Sequence, residues 1–357
     1  MTSDDRQPAV PDPTAGLPTL AAVARWLIIV TAGFFLLREL GAILKPLLLA
    51  VLFAYIIIPI YQRVKKRVPG RLAIAAVAAL SALILAALTF LLQSSARTLY
   101  EEYPALSRQA KAIVNEARDY CATHFPSTTR MLDEMTQTDQ SAEAVARDWV
   151  GRSAAVAADA ASQALVVGLY LLFMLVEAGR FPRRVRAAFP DHRAERIMTT
   201  ITSINAGIAD YLRAKVYASL VLAVPVFMLL TVFGTRFALV WAVVNFFANF
   251  IPYVGAVAGY SLPTLYALLQ FGPGWEFVTI AAVMLAIHVT TATLVEPAII
   301  GKAVGVSPLV ILILLAFWGY CWGLTGMFLA VPLTVIAKIT CAHIPATRPI
   351  AKLVSDE

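Results

Sequence analysis

Residues 245–259 read Asn-Phe-Phe-Ala-Asn-Phe-Ile-Pro-Tyr-Val-Gly-Ala-Val-Ala-Gly. The same character continues through Leu294-Val-Glu-Pro-Ala-Ile-Ile-Gly-Lys-Ala-Val-Gly-Val-Ser-Pro-Leu309 and Phe317-Trp-Gly-Tyr-Cys-Trp-Gly-Leu-Thr-Gly-Met-Phe-Leu-Ala-Val-Pro-Leu333. These stretches are apolar enough for a membrane, yet glycine and proline interrupt them repeatedly. Gly255 and Gly259 are four residues apart, as are Gly301 and Gly305, and Gly319 and Gly323. That spacing puts a smooth strip on one helix face and lets two helices approach closely. Pro252, Pro297, Pro308 and Pro332 remove backbone donors and favour breaks. Broken backbone at membrane depth survives only where protein buries it or where it lines a wet cavity. A lipid-exposed anchor would not need this pattern, so the stretch is expected to be the working core of a transport protein.

Composition points the same way. Hydrophobic residues make up 60% of the 357 and charged residues 14%, and the mean hydropathy is +0.75. A soluble domain sits nearer 45–50% apolar and about 25% charged. The expected class is an all-α, polytopic integral membrane protein. The apolar runs are long and continuous, not alternating as in a β-barrel. The net charge of +7 does not indicate nucleic acid, because the basic residues gather in short loops beside apolar runs, as membrane topology requires. Cys121, Cys321 and Cys341 match no zinc spacing. No metal or other cofactor is expected.

Reading outward from the core, residues 1–20 carry Pro8, Pro11, Pro13 and Pro18 and form a flexible cytoplasmic tail. Apolar runs at 21–37, 46–60 and 72–93 give three N-terminal transmembrane helices over 21–93, each near the length that a ~30 Å core needs. Between the second and third lie Arg63, Lys65, Lys66, Arg67 and Arg71 with no acid, so this loop faces the cytoplasm. Residues 94–155 hold seven Lys or Arg and nine Asp or Glu. They read as an external insertion of two or three amphipathic helices joined near Pro126 and 137–140. Over 156–215 a fourth span is followed by basic cytoplasmic helices, with six arginines against two acids in 180–196. The transport core covers 216–340, with runs at 216–233, 237–251, 253–271 and 277–295. A cytoplasmic tail, 341–357, closes the chain.

Eight crossings from a cytoplasmic N-terminus put residue 296 inside, and the tail basic residues Lys338, His343, Arg348 and Lys352 also belong inside. The region 308–337 must then enter and return on one side, bending at Gly319, Gly323 and Gly326. A single span with the tail outside is the alternative.

Few side chains here can carry chemistry. Asn245 and Asn249 share a helix face just before Pro252, and an amide at depth either glues helices or lines a path. Tyr253 can reach carbonyls freed by the break. His288 and Glu296 stand two turns apart, with Thr290, Thr291 and Thr293 between them. Ionisable groups inside a membrane point to function, but His288 can equally bridge helices and Glu296 can cap a helix beside Lys302. If both line one cavity, they can bind a cation or relay a proton. Asp210 and Arg213, three apart, form an ion pair at the bilayer edge or a gate contact. The run Gly301-Lys-Ala is no phosphate loop, which needs Ser or Thr after the lysine. No nucleophile has a base at credible spacing, so the chain is not expected to be an enzyme.

In Phe250-Ile-Pro-Tyr-Val-Gly255, then Glu296-Pro297 with Gly301-Lys302 and Gly305, then Ser307-Pro-Leu309, Trp318-Gly319, Gly323, Gly326 and Leu329-Ala-Val-Pro-Leu333, the chain resembles the autoinducer-2 exporter family of bacterial inner-membrane proteins, also described as permease-like. The motifs cover roughly 200–340, and the pattern of apolar runs covers the whole chain. The resemblance implies an eight-helix fold with an external insertion after the third helix, a homo-oligomer, and a multi-pass inner-membrane protein with both termini cytoplasmic. Ala256 stands where many relatives carry a second proline, and Ala298 where a basic residue often follows Glu-Pro. Some members are described as exporters of the quorum-sensing molecule autoinducer-2, others as sodium or lithium/proton antiporters. A small sugar-like solute needs amide and hydroxyl partners, which Asn249, Tyr253 and the threonines supply. An antiporter needs a titrating carboxylate at depth, and Glu296 sits near a helix end. Export of an organic solute is therefore the expectation. Cation/proton antiport is the alternative, and a non-transporting scaffold with a partner-binding insertion is the third reading.

Overall fold

The computed structural model describes residues 20–124, 163–177, 180–300, 305–344 and 347–355. Every regular element among them is helical, apart from one isolated bridge. Among the described residues six helices are long and apolar enough to cross a bilayer, and a bent pair makes a seventh. This is an all-α polytopic membrane protein. Large apolar side chains stand open on the helix surfaces, with Phe90 and Leu165 each 73% exposed and Val232 82%, as lipid contact requires.

The chain divides into two units, 1–44 and 45–357. The first holds α1 (Leu20–Glu39) and the opening of α2 (Gly41–Lys65). In the second, α2 packs on α4 (Gln163–Glu177) through Ala50, Ala54, Val167, Leu171 and Leu175. Small residues on α2 let the two helices approach. Tyr55 on α2 donates to Asn205 of α6 (Asp191–Val232). Between α4 and α6 lies the short basic α5 (Phe181–Ala188), bent 65° from α4, with Pro182 in its first turn where a missing N–H costs nothing.

The helix of the third apolar run does not end where the run does. Helix α3 runs unbroken from Gly70 to His124, straight through Pro104. The change of composition at 94 thus marks where the helix leaves the apolar layer, not where a new helix begins. The expected joints at Pro126 and 137–140 lie outside the described residues. The two sides of the membrane can be named from α3: the basic side, where the 61–71 loop lies, and the extension side, where α3 projects.

The sixth and seventh apolar runs are not two crossings. Helix α7 (Ala238–Ala248) has eleven residues, roughly 16 Å and half a bilayer. It turns at 249–253 into α8 (Val254–Phe271), which runs back to where α7 began. Gln270 Nε2 donates to the Gly234 carbonyl, and the Arg236 N–H donates to Gln270 Oε1. The base of this hairpin is on the extension side, because Arg236 also pairs with Glu102 of α3. From there α9 (Trp275–Thr290), a π-helical turn (Thr291–Val295) and α10 (Glu296–Ile300) cross to the basic side. Pro297 explains the wide turn: it has no N–H for the α-helical ladder, and the five-residue bond from Glu296 N–H to the Thr291 carbonyl takes up the slack.

The last long helix, α11 (Pro308–His343), is two helices folded back at Gly323, whose φ of 64° and ψ of −143° break the ladder. A Cβ on Gly319 would lie 2.7 Å from Met327 Cε, and one on Gly326 would run into the Trp318 carbonyl. Residues eight apart touch only if the chain reverses between them. The base of this hairpin is tied on the basic side: Lys338 Nζ donates to the Gly305 carbonyl at 2.6 Å, Ser355 Oγ donates to the same atom, and Val306 bridges Ser355. The closing helix α12 (Arg348–Val354) packs there. The region 308–337 is thus a hairpin, as parity requires. Parity survives the shortened sixth run, since a hairpin that returns to its own side replaces two crossings by none.

Candidate functional site: a cavity between two opposed hairpins

The two hairpins enter from opposite sides and meet. Phe250, in the turn of the first, stacks on Phe328 of the second at 4.9 Å between ring centroids. Beside this contact lies a cavity of about 390 Å³. The turn supplies Asn249, Ile251, Pro252 and Tyr253; α6 supplies Tyr211, Lys215 and Leu222. His288, Thr291, Ala292 and Glu296 come from α9 and its continuation, and Ile311 and Val331 from the second hairpin. Its volume is at the low end for small-molecule sites.

The turn is built by local sequence. Pro252 cannot continue a ladder, and Tyr253 takes φ 61° and ψ −58°, a γ-turn closed by the Val254 N–H on the Pro252 carbonyl and unusual for a large side chain. Asn249 caps α7, and its Nδ2 donates to Ser219 Oγ of α6 at 3.1 Å, fixing the turn against that helix. Gly255 sits so close to α7 that a Cβ would strike the Ala248 carbonyl, and a Cβ on Gly259 would come within 2.6 Å of Asn245 Oδ1. The strip made by the two glycines therefore faces the other arm of its own hairpin.

The cavity's charges are paired. Lys215 Nζ lies 2.6 Å from Glu296 Oε1, the lysine side chain only 6% exposed and the glutamate 26%. At this depth neither charge stands without the other. The π-helical turn lies directly before Glu296 and so sets the direction in which the carboxylate leaves the helix. Among the described residues no cluster of His, Cys, Asp and Glu has a metal-binding arrangement.

The structure brings Asn249, Pro252, Tyr253, His288 and Glu296 together at one cavity. Asn245 stands behind it: fully buried, it donates from Nδ2 to the Trp241 carbonyl and lies against Gly259. The shared face of Asn245 and Asn249 thus divides between a packed interior and the cavity. Pro297 lies in α10, next to Glu296. Gly305 anchors the base of the second hairpin, Pro308 begins its first arm, and Pro332 is buried in its second. Gly301 and Lys302 lie outside the described residues. Asp210 and Arg213 are 2.9 Å apart on an exposed face, away from the cavity lining.

Sequence reasoning missed Lys215, which falls just before the fifth apolar run and reads as its cytoplasmic border. A signal was present: Tyr211, Lys215 and Ser219 recur every four residues, a polar stripe on one helix face. All three are buried.

Comparison with known proteins agrees with this architecture. The family described as AI-2E family transporter matches residues 26–346. A Haemophilus influenzae protein named "Putative transport protein" is 30% identical over 95% of this chain and 96% of its own length. The AI-2 transport protein TqsA of Escherichia coli K12 is 28% identical over 92% of this chain and 93% of its own. With hairpins of broken helix meeting at a polar cavity, and a family match over nearly its whole length, the chain belongs to the AI-2E transporter family.

Proposed function

We propose that this transporter exports a small polar organic solute, with autoinducer-2 as the first candidate, and that the solute binds in the cavity at the turn of the first hairpin. The observation that carries this reading is the meeting of two oppositely inserted hairpins at one cavity holding an amide, hydroxyls and an internally neutral ion pair. Broken helices at the midplane are where transporters bind cargo, and motion of one bundle against another opens such a site to alternate sides. The uncharged donors and acceptors of Asn249, Thr291, Tyr211 and Tyr253 suit a polyhydroxylated ligand. The basic side, with the 61–71 and 180–196 loops, is the cytoplasmic one on this reading, which puts both termini inside and the extension of α3 outside.

The ion pair weighs against sodium or lithium/proton antiport through Glu296. A cation would have to displace the Lys215 ammonium from 2.6 Å, and among the described residues no second carboxylate lines the cavity.

Purified protein in proteoliposomes tests the proposal. We expect saturable uptake of labelled autoinducer-2 by inverted vesicles, reduced at least about tenfold by Asn249→Leu, since an unpaired polar contact costs on the order of 1–3 kcal/mol. A sodium or lithium pulse should leave an entrapped pH-sensitive dye unchanged. Dye recovery on the pulse, lost in Glu296→Gln, together with no autoinducer-2 flux, would establish antiport instead.

A further inference from the structure

The closing helix and the end of the second hairpin enclose a pocket of about 460 Å³ on the basic side. Lys338 and Ala342 come from the second arm of α11, Arg348, Ala351 and Lys352 from α12, and Ser355 from just beyond it. The two alanines leave the space open, and the three cations stand around it. Among the described residues no carboxylate lines this pocket.

Membrane topology alone does not account for the arrangement. The charge rule puts lysine and arginine at the cytoplasmic border, but it does not require them to converge. Here the fold makes them converge. Lys338 Nζ and Ser355 Oγ both donate to the Gly305 carbonyl, and Val306 bridges Ser355, so the end of α12 is pinned beside α11. Thr347 Oγ1 donates to the Cys341 carbonyl and Arg348 Nε to the Ala342 carbonyl, which ties the start of α12 to the end of α11. Arg348 and Lys352 then stand four apart on one face of α12, a spacing at which like charges repel. Lys338 adds a third charge from the neighbouring helix. Three like charges held around one space are relieved by an anion placed among them.

The donors select the kind of anion. Arg348 uses Nε on a carbonyl, which leaves the terminal nitrogens of its fork for a ligand. A guanidinium beside an ammonium matches the oxygens of a phosphate. The volume is in the range of small-molecule sites, enough for a headgroup. The pocket lies where the apolar part of α11 gives way to Lys338, and Ile344, in the link between the two helices, is 46% exposed. Cations beside an open apolar side chain at the membrane border suit an amphiphile better than a soluble anion, and basic pockets between membrane helices take lipid headgroups. We propose that this pocket binds the phosphate of an anionic phospholipid. The inference stands apart from the solute assignment, since none of its residues lines the cavity between the hairpins.

Native mass spectrometry of the full-length protein in detergent, titrated with phosphatidylglycerol or phosphatidylcholine, counts the lipids bound. We expect one phosphatidylglycerol to bind more tightly than any phosphatidylcholine, and Arg348→Gln with Lys352→Gln to weaken that binding at least about tenfold, since each Lys or Arg at an anionic lipid surface contributes severalfold. Arg63→Gln with Lys66→Gln removes the same charge from the 61–71 loop and should leave the tight site intact. Ala342→Trp fills the pocket, keeps every charge and should abolish tight binding. Arg348, Lys352 and Ala342 are exposed, so these changes spare the packed core. Should the double pocket variant fail to fold, Ala342→Trp decides alone. Unchanged binding in the pocket variants, or an equal loss in the loop variant, overturns the proposal. Binding of inorganic phosphate that depends on Arg348 and Lys352, with no preference for phosphatidylglycerol, would make this a soluble-anion site and overturn the lipid assignment. Absence of autoinducer-2 flux would sink the solute reading and leave this measurement standing.

Discussion

The two hairpins solve the same problem with different residues. In the first, proline and a tyrosine at positive φ make the turn, and the turn carries polar groups into the cavity. In the second, a glycine makes the turn, and the side chains around it are Phe317, Trp318, Trp322 and Phe328. Each hairpin is closed by a glycine placed against a carbonyl of the facing arm: Gly255 on Ala248, Gly326 on Trp318. The lesson is a division of labour. The first hairpin brings the chemistry, the second an apolar wall, and both rely on the same backbone contact to stay closed.

The largest effects should come from breaking that shared contact. Gly255→Ala and Gly326→Ala each drive a methyl group into backbone, which cannot swing aside. Overpacking of this kind costs about 1–3 kcal/mol or more. Both variants should lose transport, and both should melt earlier in detergent. If one is tolerated, the symmetry of the closure is false.

The turns themselves should respond with opposite signs. At Gly323 a Cβ meets nothing within 4 Å, so Gly323→Ala is penalised only by its backbone angles, on the order of 1–3 kcal/mol. At Tyr253 the strain is already present in its γ-turn angles, and Tyr253→Gly should relieve about 1–3 kcal/mol while removing a ring from the cavity. A higher melting temperature with weaker solute binding is the expected pair of results. Destabilisation by Tyr253→Gly would mean that the ring's contacts outweigh the strain.

The smallest effect is expected at Gly319. Its Cβ would press on the far end of Met327, a flexible side chain that can retreat. Gly319→Ala should change stability by less than about 1 kcal/mol, read from the same melting curves. A loss as large as that of Gly326→Ala would show that the second hairpin has no slack on this face.

Much of this was legible in the sequence. Glycine spacing and proline breaks located the core, and charge parity demanded a returning segment after 308. Asn249, Tyr253, His288 and Glu296 stood out because polar groups are rare in apolar runs, and they do converge on one cavity. Two features were hidden. A run of fifteen apolar residues reads as a crossing whether it spans or turns back, and only contacts such as Gln270 to Gly234 decide. Lys215 was hidden by position: a lysine at the border of an apolar run looks like an interfacial anchor until a distant carboxylate is seen to meet it, here 81 residues along the chain.

The unbroken helix α3 has a mechanical consequence. Its 55 residues make a rod of roughly 80 Å, well over twice the thickness of the apolar layer. Glu102 stands near where the rod leaves that layer, and there it grips Arg236 and touches Tyr266 at the foot of the first hairpin. His124 lies a further 22 residues out, roughly 33 Å along the axis. A rod pivoting near Glu102 would turn a displacement of several ångströms at its outer end into a small tilt where it meets the hairpin. The extension has the proportions of a lever arm, and its contact at Glu102 lies where a fulcrum would act on the cavity-forming element.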